Sequence, residues 1–184
     1  MNWAELFSTP QAIVAQCIGF VAMGVALFIY TFRDRRRILL AKMLADLLWV
    51  AHYGLLGAWS GSLINAVNTA REGVFYNKDH RAWARSIVWP ILFLVLNAGC
   101  TALSWQGWLS LLPMLGSSLN VVGLWCSNPT RLRLVSLPAQ TLWEVYSFAV
   151  GAIPSIIVNA ISITSILIAL IREWVECRKG KETT

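Results

Sequence analysis

Charge is what this sequence has least of. Lys, Arg, Asp and Glu make up 13% of its 184 residues, against about 25% in an ordinary soluble domain. Too little polar material is present to coat a globular surface, which sets aside a soluble enzyme, a nucleic-acid module and a disordered segment. Cysteines are few. Cys17, Cys100, Cys126 and Cys177 form no C-x-x-C pair, so neither a disulfide framework nor a zinc site is signalled. Free thiols packed among apolar neighbours are expected instead. The first ten residues carry no Lys or Arg, hence no n-region for a cleavable signal peptide. Histidine is limited to His52 and His80, and no Cys or carboxylate stands at metal spacing from either. No metal and no cofactor is expected. The G-x-S-x-G, H-E-x-x-H, P-loop and paired-acid patterns are all missing. The chain is therefore not expected to be an enzyme, since a membrane-embedded one would need a nucleophile–base pair that the apolar segments do not contain.

What the sequence has is apolar length. It is 57% hydrophobic, with a mean hydropathy of +0.61. A helix needs roughly 20 mostly apolar residues, at about 1.5 Å each, to cross a hydrocarbon core of about 30 Å. Seven windows qualify: Gln11–Thr31, Ile38–Gly57, Ser60–Tyr76, Ser86–Leu103, Trp108–Cys126, Leu132–Val150 and Ile153–Trp174. The third is the weakest, because Asn65, Asn68, Thr69, Arg71 and Glu72 fall inside it. Charge order supports it. The 15 cations cluster at Arg33–Lys42, at Arg71–Arg85, at Arg131 and Arg133, and at Arg172–Lys181, while the alternate gaps hold none. The positive-inside rule then predicts the N-terminus outside and the C-terminus in the cytoplasm. Seven crossings satisfy it, whereas six would strand a cationic cluster outside. The net charge of +6 is thereby explained by topology, and no nucleic-acid partner is expected. Trp3, Trp59, Trp105 and Trp108 fit an outer interfacial belt and Trp83 and Trp174 an inner one, but Trp49 and Trp143 fit neither.

The chain also matches itself at an offset of 94 positions. Leu48-Trp49 falls on Leu142-Trp143, Gly57-Ala58 on Gly151-Ala152, and Asn65-Ala66 on Asn159-Ala160, with Arg37 on Arg131. The shared pattern is L-W-x7-G-A-x6-N-A. Two three-helix units in direct succession would point in opposite directions, and an extra span between them restores the orientation. The expected fold is an all-α membrane protein with seven transmembrane helices, arranged 3+1+3. Its parts are a first triple-helix repeat over 11–77, a linker helix over 86–103, a second parallel repeat over 108–174 and a cytoplasmic tail over 175–184.

Depth follows from counting residues from the inner charges. Trp49 and Trp143 lie twelve residues after Arg37 and Arg131, and Asn65 and Asn159 thirteen before Lys78 and Arg172. All four sit roughly 18–20 Å from those charges, near the bilayer midplane. One reading is a polar cavity between the halves, with Trp49, Trp143, Asn65, Asn159, Tyr53 and Ser162 as substrate-binding residues. The other is that the asparagines are packing glue between helices. Among the intramembrane charges, Asp46, Glu144 and Arg71 form a candidate proton or ion-pair site. Lys42, Asp46, Trp49 and Tyr53 share one helical face, and Asp46 is expected to bridge to Arg71 or Lys42. Glu144 has no basic residue at its depth and is either protonated or in contact with water or substrate. His52 is expected about a quarter turn off the Trp49–Tyr53 face. Gly19, Gly24, Gly116, Ser117 and Ser118 suggest close helix packing, and Pro113 and Pro138 are hinge candidates inside the fifth and sixth spans.

These residues resemble a known group. A 3+1+3 bundle with Trp on the second helix and Asn on the third helix of each half is similar to the SWEET, PQ-loop and PnuC-like transporter superfamily. Arg33-Asp34-Arg35-Arg36-Arg37, Leu48-Trp49-Val50-Ala51-His52-Tyr53 and Val74-Phe75-Tyr76 resemble the bacterial inner-membrane YgjV family, over roughly Gln11 to Glu176. In SWEET facilitators the paired Trp and Asn flank the substrate, which the resemblance carries over to Trp49, Trp143, Asn65 and Asn159. Two departures are plain: helix prolines occur only in the second half, and the W-x-x-W pattern associated with PnuC is missing from the spans. The implied function is a facilitator in the inner membrane that moves a small neutral polar solute, such as a sugar or nucleoside, by alternating access. Its partners would be the lipid bilayer and that solute, with a homo-oligomer left open. The alternative is a non-transporting membrane scaffold or sensor.

Overall fold

A computed structural model describes residues 9–29, 32, 35–78, 80–125 and 129–182, with backbone alone for 35, 129, 130 and 176–182. Trp3, Arg33, Asp34 and Cys126 lie outside the described residues, as does the side chain of Cys177. The described residues form seven α-helices and no strand: α1 (Pro10–Phe28), α2 (Arg35–Leu55), α3 (Trp59–Asn77), α4 (Val88–Leu103), α5 (Leu111–Trp125), α6 (Pro129–Val150) and α7 (Ile153–Glu182). Short 3-10 turns at Ala82–Arg85 and Trp108–Ser110 precede α4 and α5. Each expected window holds one helix. Helix α7 continues through the segment assigned to the tail, as far as Glu182.

Four helical segments are long and apolar enough to cross a membrane: Pro10–Phe28, Arg36–Leu55, Trp108–Trp125 and Ile153–Val175. Val88–Leu103 is apolar but shorter. Helix α3 is more polar because it carries Asn65, Asn68, Arg71 and Glu72, and all four are buried. That arrangement is inside-out relative to a soluble domain. Val95, Leu103, Val21 and Phe28 are exposed, as are Trp59, Trp83, Trp105, Trp108 and Trp174, whereas Gln16, His52, Asn97 and Ser117 are buried. Lipid accepts apolar surface but offers no hydrogen bonds, so polar side chains gain by turning inward to find partners.

Local sequence explains the helix ends. Pro10, Pro90, Pro113, Pro129 and Pro154 each fall in the first turn of a helix, where a missing N–H costs little. Pro113 is the third residue of α5, which follows the 3-10 turn at Trp108–Ser110. Pro138 stands inside α6. The α2–α3 and α6–α7 turns are built alike. Gly57 and Gly151 take positive φ values of 71° and 69°. The following Ala58 and Ala152 amides bond back to Tyr53 and Ser147 carbonyls at 2.9 and 3.0 Å. This is the Schellman closure, which needs a residue free to adopt the left-handed region, and it explains the Gly-Ala dipeptide in both halves.

Helix α2 packs on α1 and α3, α6 on α5 and α7, α4 on α3 and α5, and α1 on α7. Glycine allows the closest approaches. A Cβ on Gly19 would stand 2.6 Å from His52 Nδ1, and one on Gly116 would stand 2.8 Å from the Trp143 ring. Gly24 meets nothing within 4 Å, so it is not a packing contact. Cys17 is exposed on α1 rather than packed, and Cys100 is half-buried. A buried network joins three helices: Asn97 Nδ2 donates to Ser117 Oγ at 3.1 Å, and Ser117 Oγ donates to Asn68 Oδ1 at 2.5 Å.

Candidate functional site

Helices α2, α3, α6 and α7, with Ala26 of α1 and Asn120 of α5, surround a cavity of about 230 Å³. All six residues assigned from sequence to substrate binding line it: Trp49, Tyr53, Asn65, Trp143, Asn159 and Ser162. Asp46 and Lys42 share its wall with Asn68, Asn120, Gln140 and Ser155. Helical spacing accounts for the first set, because Lys42, Asp46, Trp49 and Tyr53 recur every three or four residues and so share a face of α2. At spacing 94, Asp46 corresponds to Gln140, Trp49 to Trp143, Asn65 to Asn159 and Asn68 to Ser162. All four pairs are on the wall. The Asp46–Gln140 and Asn68–Ser162 pairs were absent from the sequence reading, although the same offset that matched the tryptophans points to them.

The asparagines are anchored rather than paired with each other. Asn65 Nδ2 donates to the Gly61 carbonyl at 2.8 Å. Asn159 Nδ2 stands 3.4 Å from both Ser147 Oγ and Ser155 Oγ. Above them lies an aromatic layer. The Tyr53 ring is 6.1 Å from Trp49, 5.9 Å from Trp143 and 5.8 Å from Tyr146. Each tyrosine crosses to the other half. Tyr53 OH meets Ser155 Oγ at 2.7 Å and Ser147 Oγ at 3.0 Å. Tyr146 OH accepts the Gly61 amide at 2.9 Å, in the first turn of α3, where a donor has no intrahelical acceptor. Gly61 is required there, since its Cβ would come within 2.7 Å of the Tyr146 ring. Beyond Tyr146 lies a second cavity of about 210 Å³, lined by Gly57, Ala58, Gln106 and Ser110 among others. The Tyr53–Tyr146 pair thus stands between two cavities, Tyr53 facing the first and Tyr146 the second.

The charged end of the wall departs from expectation. Arg71 does not reach Asp46. Its Nη2 bonds Glu72 Oε1 at 2.8 Å, and Lys42 Nζ also approaches that oxygen, at 3.2 Å. Glu72 is fully buried and is the residue the sequence reading passed over: it takes both cations because α3 presents it, rather than Asp46, between them. Asp46 keeps the second of its two expected partners, Lys42, at 3.7 Å. Its Oδ2 has no hydrogen bond. Glu144 lies off the cavity wall and takes a hydrogen bond from Asn159, while its Oε2 is buried without a partner. His52 turns away from the site towards α1. Its Nδ1 lies 2.7 Å from the Ala15 carbonyl, which can only accept, so Nδ1 carries the proton and donates. No group of three or more metal-ligating side chains occurs among the described residues.

Residues 13–176 match the profile of Imp-YgjV, described as "Bacterial inner membrane protein". The chain belongs to the Imp-YgjV family. It is 22% identical over 170 residues to "Inner membrane protein YgjV" of Escherichia coli (strain K12), an alignment covering 91% of this chain and 88% of that protein. No solved structure matches. As an Imp-YgjV member the protein is a bacterial inner-membrane protein, and the matched segment takes in every cavity residue named above.

Proposed function

We propose that this Imp-YgjV protein is a SWEET-like facilitator that moves a small neutral polar solute across the inner membrane by alternating access. In this reading all seven helices cross the bilayer, with the N-terminus outside and the C-terminus in the cytoplasm. The triplets α1–α3 and α5–α7 are parallel repeats, and α4 links them. The observation that carries the reading is the cavity itself, which takes five of its wall positions from each half at one constant offset and touches both Asn65 and Asn159. Each half would supply an indole face for stacking and a carboxamide for hydrogen bonds. The tyrosine layer would close the outer side, and Pro138 would let α6 bend as the halves rock. With no ATP-binding motif, flux would run down the solute gradient or be coupled to protons. No catalytic step is assigned, and the protein is not proposed to be an enzyme.

The scaffold or sensor reading draws on the asparagines, each of which already donates a hydrogen bond within the bundle. Purified protein in liposomes, tested with a panel of sugars, nucleosides and vitamins, separates the two. Uptake of at least one solute is expected, with Asn65→Ala and Trp143→Ala each reducing it severalfold. Failure to move any of them, or uptake indifferent to both substitutions, would favour the scaffold.

A further inference from the structure

Five pairs matched at spacing 94 line the cavity, Ala26–Asn120 among them, and one sets a charged group against a neutral one: Asp46 brings a carboxylate where Gln140 brings a carboxamide. Asp46 is only 6% exposed. Its Oδ2 is buried without a hydrogen bond; Lys42 Nζ is ion-paired to that same oxygen at 3.7 Å, beyond hydrogen-bond reach, and stands closer to Glu72, at 3.2 Å. A buried acceptor left unmade is costly, so a structure retains one where something else supplies the donor. The donor's charge is constrained too. Lys42 and Arg71 balance Asp46 and Glu72, so a charged solute would add an uncompensated charge beside the cluster, whereas a hydroxyl would not. The cavity of about 230 Å³ has room for about seven waters at roughly 30 Å³ each, a space suited to one hydroxylated ring rather than two.

We infer that Asp46 and Gln140 are the specificity pair of this cavity and that its ligand is a neutral polyhydroxylated ring. Asp46 Oδ2 accepts a hydrogen bond from one ring hydroxyl, the Gln140 carboxamide bonds another, and the Trp49 and Trp143 indoles cover the ring faces. This rests on the reading of the cavity as a solute site, but it does not require that the solute be carried across.

The test is binding, read apart from flux. Thermal unfolding of the detergent-solubilised full chain is followed with D-glucose, D-ribose and uridine, each beside a deoxy counterpart, since a ligand that binds only the folded state raises the melting temperature. At least one hydroxylated probe is expected to stabilise the wild type, with its deoxy form roughly 10- to 100-fold weaker, as for a lost hydrogen bond to a charged acceptor. Asp46→Asn and Gln140→Ala are each expected to weaken binding about tenfold or more and to narrow the hydroxyl-over-deoxy preference. If Asp46→Asn does not fold, Gln140→Ala decides, because Gln140 is outside the ionic cluster. Wild-type preference retained in the variants, or no stabilisation by any probe, overturns the inference. Binding with the stated preference but no flux in liposomes overturns the transport reading alone.

Discussion

Replacing Glu72 by methionine removes the carboxylate that sits between two cations deep in the bundle. Arg71 is 1% exposed and Glu72 fully buried, with 2.8 Å between their charged atoms. At an effective dielectric near 20, opposite charges about 3 Å apart attract by roughly 5–6 kcal/mol. Desolvation offsets most of that in the intact pair, but a lone buried Arg71 keeps the penalty and loses the attraction, so breaking the pair costs about 3–5 kcal/mol. Lys42 is partly exposed and still has Asp46, so it adds little. For a chain of this size each kcal/mol shifts the melting temperature by about 2–4 °C, and Glu72→Met should lower it by roughly 6–20 °C. Combining it with Arg71→Met removes both charges from the interior and should recover most of the loss. The assay is thermal unfolding in mild detergent, followed by intrinsic tryptophan fluorescence. A single variant melting within about 2 °C of wild type, or a double variant no better than the sum of the singles, would refute the argument.

Tyr146→Phe removes the hydroxyl that receives the Gly61 amide and should cost about 1–2 kcal/mol, seen as a lower melting temperature. Gly61→Ala, which drives a Cβ to 2.7 Å from the edge of the same ring, should cost about 1–3 kcal/mol and should still do so in a Tyr146→Phe background, where the ring edge remains; both are read as melting temperatures. Pro138→Ala restores a helix hydrogen bond inside α6. It should leave stability equal or higher while reducing solute flux severalfold in liposomes, and unchanged flux would remove Pro138 as a hinge. A C-terminal fluorescent-protein fusion should glow and a C-terminal alkaline phosphatase fusion should be inactive, and the opposite pair of results would reverse the proposed orientation.

Helix positions were legible from hydropathy, including α3, whose polar content argued against it and whose flanking cations argued for it. The reason is that one helix-length apolar window suffices to report an element whose solvent is lipid. The offset of 94 picked out Trp49, Trp143, Asn65 and Asn159, and all four reached one cavity. It did not bring in Asn68 and Gln140, because Asn opposite Ser and Asp opposite Gln do not register as identities although they occupy matched wall positions. Pairing was less legible. Arg71, Lys42, Asp46 and Glu72 lie within reach of several partners by counting along helices, and counting left Asp46 open to either Arg71 or Lys42 and did not bring Glu72 into the cluster.

By itself the sequence determined which segments are apolar enough for lipid, roughly where each helix lies, and which turns must contain glycine, since these follow from local composition and backbone freedom. Tertiary structure alone decided which carboxylate takes the buried arginine, that two tyrosines cross between halves to partition two cavities, and that Asp46 is left with an open acceptor. Those outcomes depend on distances between residues remote in the chain, and differences of about an ångström between helices settle them.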